Sequence, residues 1–109
     1  MKNFKWTKHS EKKIKYYGLS KSRILRVIKN PFRIEEGIAP QTIAKMQPAR
    51  IKKNKNKKIW KQEIWTMIQK DKETIKIISA WRYPGISPQT NPIPSYIIDE
   101  LEKEGYFKI

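Results

Sequence analysis

Two runs decide how this chain folds: Ile59-Trp60-Lys61-Gln62-Glu63-Ile64-Trp65-Thr66-Met67-Ile68-Gln69 and Thr74-Ile75-Lys76-Ile77-Ile78-Ser79-Ala80-Trp81-Arg82-Tyr83. Both are rich in β-branched and aromatic residues, and the polar Asp71-Lys72-Glu73 between them reads as a hairpin loop. Apolar side chains fall at odd and even positions alike, as in central strands covered on both faces. Upstream, residues 32–37 and 42–47 read as two more strands around an Ala39-Pro40 turn.

Further upstream the period changes from two to that of a helix. Residues 9–17 form a short helix with Ile14 and Tyr17 on one face, closed by Gly18 at the C′ position, with Leu19 folding back onto it. Ser20 caps a second helix over 21–29, whose apolar residues are Ile24, Leu25, Val27 and Ile28, and Asn30-Pro31 stops it. Downstream, the prolines at 84, 88, 92 and 94 make an extended connector, and Ser95 is expected to cap a last helix over 96–104 ended by Gly105. The expectation is one α+β domain over residues 1–109: two N-terminal helices, a four-stranded mainly antiparallel sheet, and one C-terminal helix.

Charge supplies the functional signal. The 109 residues carry 25 Lys+Arg against 10 Asp+Glu, a formal net charge of +15. Residues 1–61 hold 19 of those basic side chains and only 3 of the acidic ones, so the excess belongs to that half. Asymmetry of this kind points to a polyanion-binding face. Compositional bias explains why Lys outnumbers Arg 20 to 5, but not the scarcity of acids before residue 62. The densest run, Arg50-Ile51-Lys52-Lys53-Asn54-Lys55-Asn56-Lys57-Lys58, lacks apolar periodicity and reads as a mobile, solvated loop. Its Lys52, Lys53, Lys57 and Lys58 are candidates for phosphate contacts without sequence preference, beside the plainer reading of a solvated loop. Arg23 and Arg26 on the second helix and Arg33 on the first strand are further phosphate-contact candidates, each also readable as a plain solvated charge. Trp60, Trp65 and Trp81 are candidates for base stacking, with at least one of them assigned to the core.

Other chemistries are excluded by what the chain lacks. With no Cys and one His, disulfides, thiol catalysis and zinc sites are out, and no cofactor is expected. No apolar run reaches the roughly 18 residues of a membrane helix, so a cytoplasmic protein with no membrane partner is expected. Glu35-Glu36 is not an acid–base pair, because neighbours on a strand point to opposite faces.

The segment His9-Ser10-Glu11-Lys12-Lys13-Ile14-Lys15-Tyr16-Tyr17-Gly18-Leu19-Ser20 resembles the opening of a family of small toxin-like domains, and Ile24, Val27, Ile28, Asn30 and Pro31 fit that family's next helix. Ile77-Ile78-Ser79-Ala80 followed by Arg82 is similar to the last-strand motif of the BrnT ribonuclease toxins. Both groups belong to the RelE/ParE toxin superfamily, whose fold is short helices packed on a small antiparallel sheet. The chain departs from the pattern at Lys13, Tyr17 and Trp81 and in the run at 50–58.

The resemblance implies a metal-independent endoribonuclease acting on mRNA, at the ribosome in some cases, and silenced by an acidic antitoxin. It makes His9, Lys13, Arg82 and Tyr83 the candidate catalytic set. His9 is the chain's one histidine, the residue type suited to acid or base work near neutral pH, with Lys12 and Lys13 a helical turn away. Arg82 offers a fork for phosphate and Tyr83 a proton donor. The alternatives are a non-catalytic RNA- or ribosome-binding protein on the same fold, and a small DNA-binding module built on the two N-terminal helices.

Overall fold

The computed structural model describes residues 3–38, 41–90 and 92–106. In chain order the elements are β1 (Asn3–Trp6), α1 (Lys8–Tyr16), α2 (Lys21–Lys29), β2 (Arg33–Glu36), β3 (Thr42–Pro48), β4 (Lys52–Asn54), β5 (Lys57–Ile59), β6 (Gln62–Asp71), β7 (Thr74–Pro84) and α3 (Ser95–Lys103). The class is α+β with three helices, but the main sheet has five strands rather than four, ordered β1-β7-β6-β3-β2. The additional strand is β1, which pairs in parallel with β7 from Asn3↔Thr74 to Trp6↔Ile77, while every other pairing is antiparallel.

Local chemistry explains the helix boundaries. Thr7 caps α1 through its side chain and also donates to the carbonyls of Ile77 and Ile78, both at 3.0 Å, so the helix start is fastened to β7. Gly18, at φ 65, ends the turn, and the Leu19 amide reaches back to the Ile14 carbonyl at 2.8 Å. Ser20 caps α2 by accepting from the Arg23 amide at 3.0 Å. The cap of α3 differs from the expectation: Pro94 occupies it and Ser95 lies inside the helix. The amides of Ile97 and Ile98 take the Pro94 carbonyl, and no side chain caps this end.

The sheet is covered on both faces. On one, α1 and α2 set Ile14, Ile24, Val27 and Ile28 against Ile64, Ile68, Ile75, Ile77 and Ala80. On the other, α3 sets Ile97 and Leu101 against Ala44, Met46, Trp65, Met67, Ile78 and Trp81. Burying each of these large side chains is worth about 1.5–3 kcal/mol. A register shift lets Met67 face Ser79 while Ile68 faces Ile77, so Ile78 is the extra residue of a bulge. That bulge explains why apolar residues occur consecutively here. Pairing register lines up Arg33, Met46, Trp65 and Trp81 across four strands on the α3 face.

Two further expectations change. Residues 50–58 are no irregular loop: β4 and β5 form a separate two-stranded hairpin, turning at Lys55 and Asn56 with φ 50 and φ 68. Two positive φ values suit the right-handed strand twist, as in a type I′ turn. For the alternative of a DNA-binding module on the two N-terminal helices, a helix-turn-helix would need a third supporting helix, whereas α1 and α2 both pack on the sheet and β2 follows them. The Ala39-Pro40 turn lies outside the described residues. Beside it, Gly37 is required by space, since a Cβ there would sit 2.0 Å from the Thr42 hydroxyl oxygen.

Candidate nucleic-acid interface

At the end of the sheet where β3 and β7 finish and β6 starts, three arginines gather. Arg23 and Arg26 are one turn apart on α2 and Arg82 leaves β7 on the same face. The Arg23 guanidinium donates to the Gln47 side-chain oxygen and, at 3.2 Å, to the Pro48 carbonyl. Arg82 donates to the Tyr17 carbonyl at 2.9 Å and to the Gln62 side-chain oxygen at 3.3 Å. These acceptors are neutral. They fix the guanidinium planes without cancelling the charge. Partial burial, and then the nearby charges of Arg26 and Arg82, lower the pKa of Arg23. The cations are therefore held against mutual repulsion, an arrangement that an arriving phosphate relieves.

The β4–β5 hairpin extends this surface. Lys52, Lys53, Lys57 and Lys58 are all exposed, and Lys53 stands directly opposite Lys58 in the register. Like charges facing each other across a strand pair destabilise it unless an anion lies between them. A cavity of about 380 Å³ beside the hairpin is lined by Arg50, Lys52, Ile59, Trp60, Lys61 and Gln62, among others, and Gln62 is the residue that accepts from Arg82.

The four candidate catalytic residues do not form one site. His9 is 2% exposed, and both ring nitrogens are engaged: Nε2 with the Ser79 hydroxyl at 2.8 Å and Nδ1 with the Glu104 carboxylate at 2.5 Å. Lys13 pairs with Glu100 at 2.6 Å and lies over the Tyr16 and Tyr96 rings. Lys12 approaches Glu104 at 4.0 Å. The α1–α3 seam is thus a charge-compensated groove, closed at one end by a hydrogen bond between the Tyr17 and Tyr96 hydroxyls. Burial, then that bond, raises the pKa of Tyr17. Arg82 contacts the opposite end of α1 from His9, through Tyr17. Tyr83 follows Arg82 on the strand and sits on the other face, opposite Glu63.

Two nucleic-acid candidates are corrected. Trp81 is 0% exposed, stacked on Trp65 with centroids 5.9 Å apart and planes at 3°. No base reaches it, nor Trp65. Arg33 is committed to the fold. Its Nε donates to Glu35 at 2.6 Å, its Nη1 to the Ser87 hydroxyl at 2.7 Å and its Nη2 to the Pro88 carbonyl at 2.5 Å, while its guanidinium covers the Trp65 ring. With its charge paired and its donors used, it clamps the connector after β7 onto the sheet. Replacing Arg33 by Met is expected to lower stability by about 1–3 kcal/mol in a denaturant titration.

Glu63 is the residue that the charge pattern did not single out. It is fully buried on the α3 face, accepting from the Trp60 and Trp65 indoles at 2.9 Å each and from the Ser87 amide at 3.2 Å. Burial pushes its pKa up, but hydrogen bonds from Ser87, Trp60 and Trp65 outweigh that and hold it below the ordinary 4.5. Period two puts Glu63 on one face with Trp65 and Met67, so an acid in a core row was the available signal.

Among the described residues no cluster of His, Cys, Asp and Glu is built to hold a metal, and no helix is long and apolar enough to cross a membrane. Comparison with protein-family models, with curated proteins and with solved structures finds no match.

Proposed function

We propose that this chain binds RNA, gripping phosphates with Arg23, Arg26, Arg82 and the lysines of the β4–β5 hairpin. The observation that carries this reading is the arginine cluster held by neutral acceptors, with charge left uncompensated at one end of the sheet. Elsewhere on the molecule cations meet carboxylates, as Lys13 does Glu100 and Lys21 does Glu11. A structural role for the arginines would be served better by acidic partners. A cytoplasmic location, among cellular RNA, belongs to the same reading.

The test is a salt titration of binding to a single-stranded RNA oligonucleotide. If about six phosphates are neutralised, affinity falls roughly 100- to 1000-fold between 50 and 200 mM salt, because each contact releases condensed counterions. A flat response would overturn every nucleic-acid version of the function.

One contact favours a second reading, a metal-independent endoribonuclease of the RelE/ParE, BrnT-like kind. The two sequence blocks behind that resemblance meet in space, with His9 of the first bonded to Ser79 of the second. Cleavage by this route requires Glu104 to release His9, so that the imidazole serves as base or acid toward a ribose 2′-hydroxyl. Incubation with single-stranded or ribosome-bound RNA without added metal tests it, with His9→Ala and Arg82→Ala each expected to slow cleavage at least about tenfold. Absence of cleavage in both settings leaves the binding reading alone. If the toxin reading holds, inducing the protein arrests growth and a small acidic antitoxin relieves the arrest.

A further inference from the structure

Trp60 occupies an unusual position for a tryptophan with two fixed partners. It lies in the connection between β5 and β6, outside the strands, and is only partly buried. Its indole N–H is nevertheless held at 2.9 Å by the buried Glu63 carboxylate, and its ring meets Phe32 edge-on, with centroids 5.1 Å apart. Phe32 is itself anchored, its amide donating to the Met46 carbonyl at 2.8 Å, yet its side chain is 49% exposed. Ile86 beside them is also exposed. An aromatic pair locked in orientation and left facing solvent is costly unless something covers it.

The surroundings identify what covers it. Trp60 separates two cavities. One, of about 380 Å³, is lined by the cations Arg50, Lys52 and Lys61 and by Gln62, which holds Arg82. The other, of about 540 Å³, is lined by Phe32, Trp60, Ile86 and Gln89, among others, with the carboxylates of Glu35, paired to Arg33, and of Glu63, bonded to the indoles, also in its wall. Cations on one side of an anchored indole and an aromatic hollow on the other match a chain that alternates phosphates with flat apolar rings. Both volumes are of the size that accepts a planar heterocycle.

We infer that Trp60 and Phe32 form a nucleobase-stacking platform, so that the RNA bound by this protein is single-stranded, its unpaired bases on the aromatic pair and its phosphates on the arginine and lysine surface. This rests on the RNA-binding reading above and names the substrate class. A duplex keeps its bases stacked inside and has none to offer. An amide such as that of Gln89 can bond the edge of a splayed base. Glu63 is then a positioning residue, fixing the plane of the indole.

The experiment compares a single-stranded RNA decamer, its duplex and the single-stranded DNA of the same sequence, using wild-type protein, Trp60→Leu and Phe32→Leu. The expected result is a preference for single-stranded RNA, a loss of about 5- to 100-fold in each variant, and an unchanged slope of affinity against salt. Phe32→Leu leaves the Glu63 hydrogen bonds in place, so its loss reports stacking even if Trp60→Leu weakens the fold. Variants that bind as tightly as the wild type, with the salt slope intact, overturn the platform while sparing RNA binding. Equal affinity for the duplex, or DNA bound as tightly as RNA, also overturns the assignment. No salt-dependent binding at all overturns the underlying reading instead.

Discussion

Replacing Glu63 by Gln lowers the stability of the folded chain by about 2–4 kcal/mol, measured as a drop in the denaturation midpoint at neutral pH. The substitution keeps the shape but turns one oxygen into an N–H group. That group then confronts a Trp60 or Trp65 indole, or the Ser87 amide, all of which are donors. A buried donor left without an acceptor loses its desolvation energy unrecovered. The same residue sets a pH dependence. Because the folded protein holds Glu63 below its ordinary 4.5, the folded state binds fewer protons than the unfolded chain in the window just under that value. Its stabilisation is therefore complete above pH 4.5 and is lost as pH falls through the folded pKa. Glu63→Gln lacks this component, so wild type and variant converge in stability on acidification. Parallel curves at all pH values would show that folding leaves the pKa of Glu63 unchanged, and a wild type that loses stability relative to the variant as pH rises would show that the carboxyl is neutral in the fold.

The largest effect on binding is expected from removing two guanidiniums together. Arg23→Gln with Arg82→Gln deletes two phosphate clamps and relieves their mutual repulsion, so RNA affinity falls about 30- to 100-fold at low salt. The salt slope shallows by about 1.4, since each single-strand phosphate contact contributes about 0.7. Lys76, exposed near the start of β7, is a control at the opposite end of that strand, and Lys76→Gln leaves both quantities unchanged. A double variant that binds normally would move the interface elsewhere.

Much of the frame was legible because its signals are local. Gly18 and Ser20 mark two helix boundaries by their own chemistry, and the runs at 59–69 and 74–83 mark the central hairpin by composition. β1 was not legible, since Asn3-Phe4-Lys5-Trp6 is four residues long and its pairing with β7 is remote in sequence. The β4–β5 hairpin was hidden for a different reason. Its strands carry lysine on both faces, and its turn reaches positive φ without a glycine. The charge of the interface was readable from the first 61 residues, but the convergence of Arg82 with Arg23 was not, because it depends on how α2 crosses the sheet. Trp81 and Trp60 look alike in composition. Register puts one in the core stack opposite Trp65, and position outside a strand leaves the other at the surface.

The parallel pairing of β1 also governs the order in which this protein can be assembled. Residues 3–6 have no partner until residues 74–77 exist, and the Thr7 side chain that starts α1 waits for the Ile77 carbonyl 70 positions later. At about 5–20 residues per second of synthesis, that interval is roughly 4–14 s. During it β2, β3, the β4–β5 hairpin and β6 are made and β7 is only begun, whereas the first strand can only dock onto the edge that β7 supplies. Closing so long a loop places the β1–β7 contact late in folding, and the most strongly basic half of the chain is complete before the sheet that organises it.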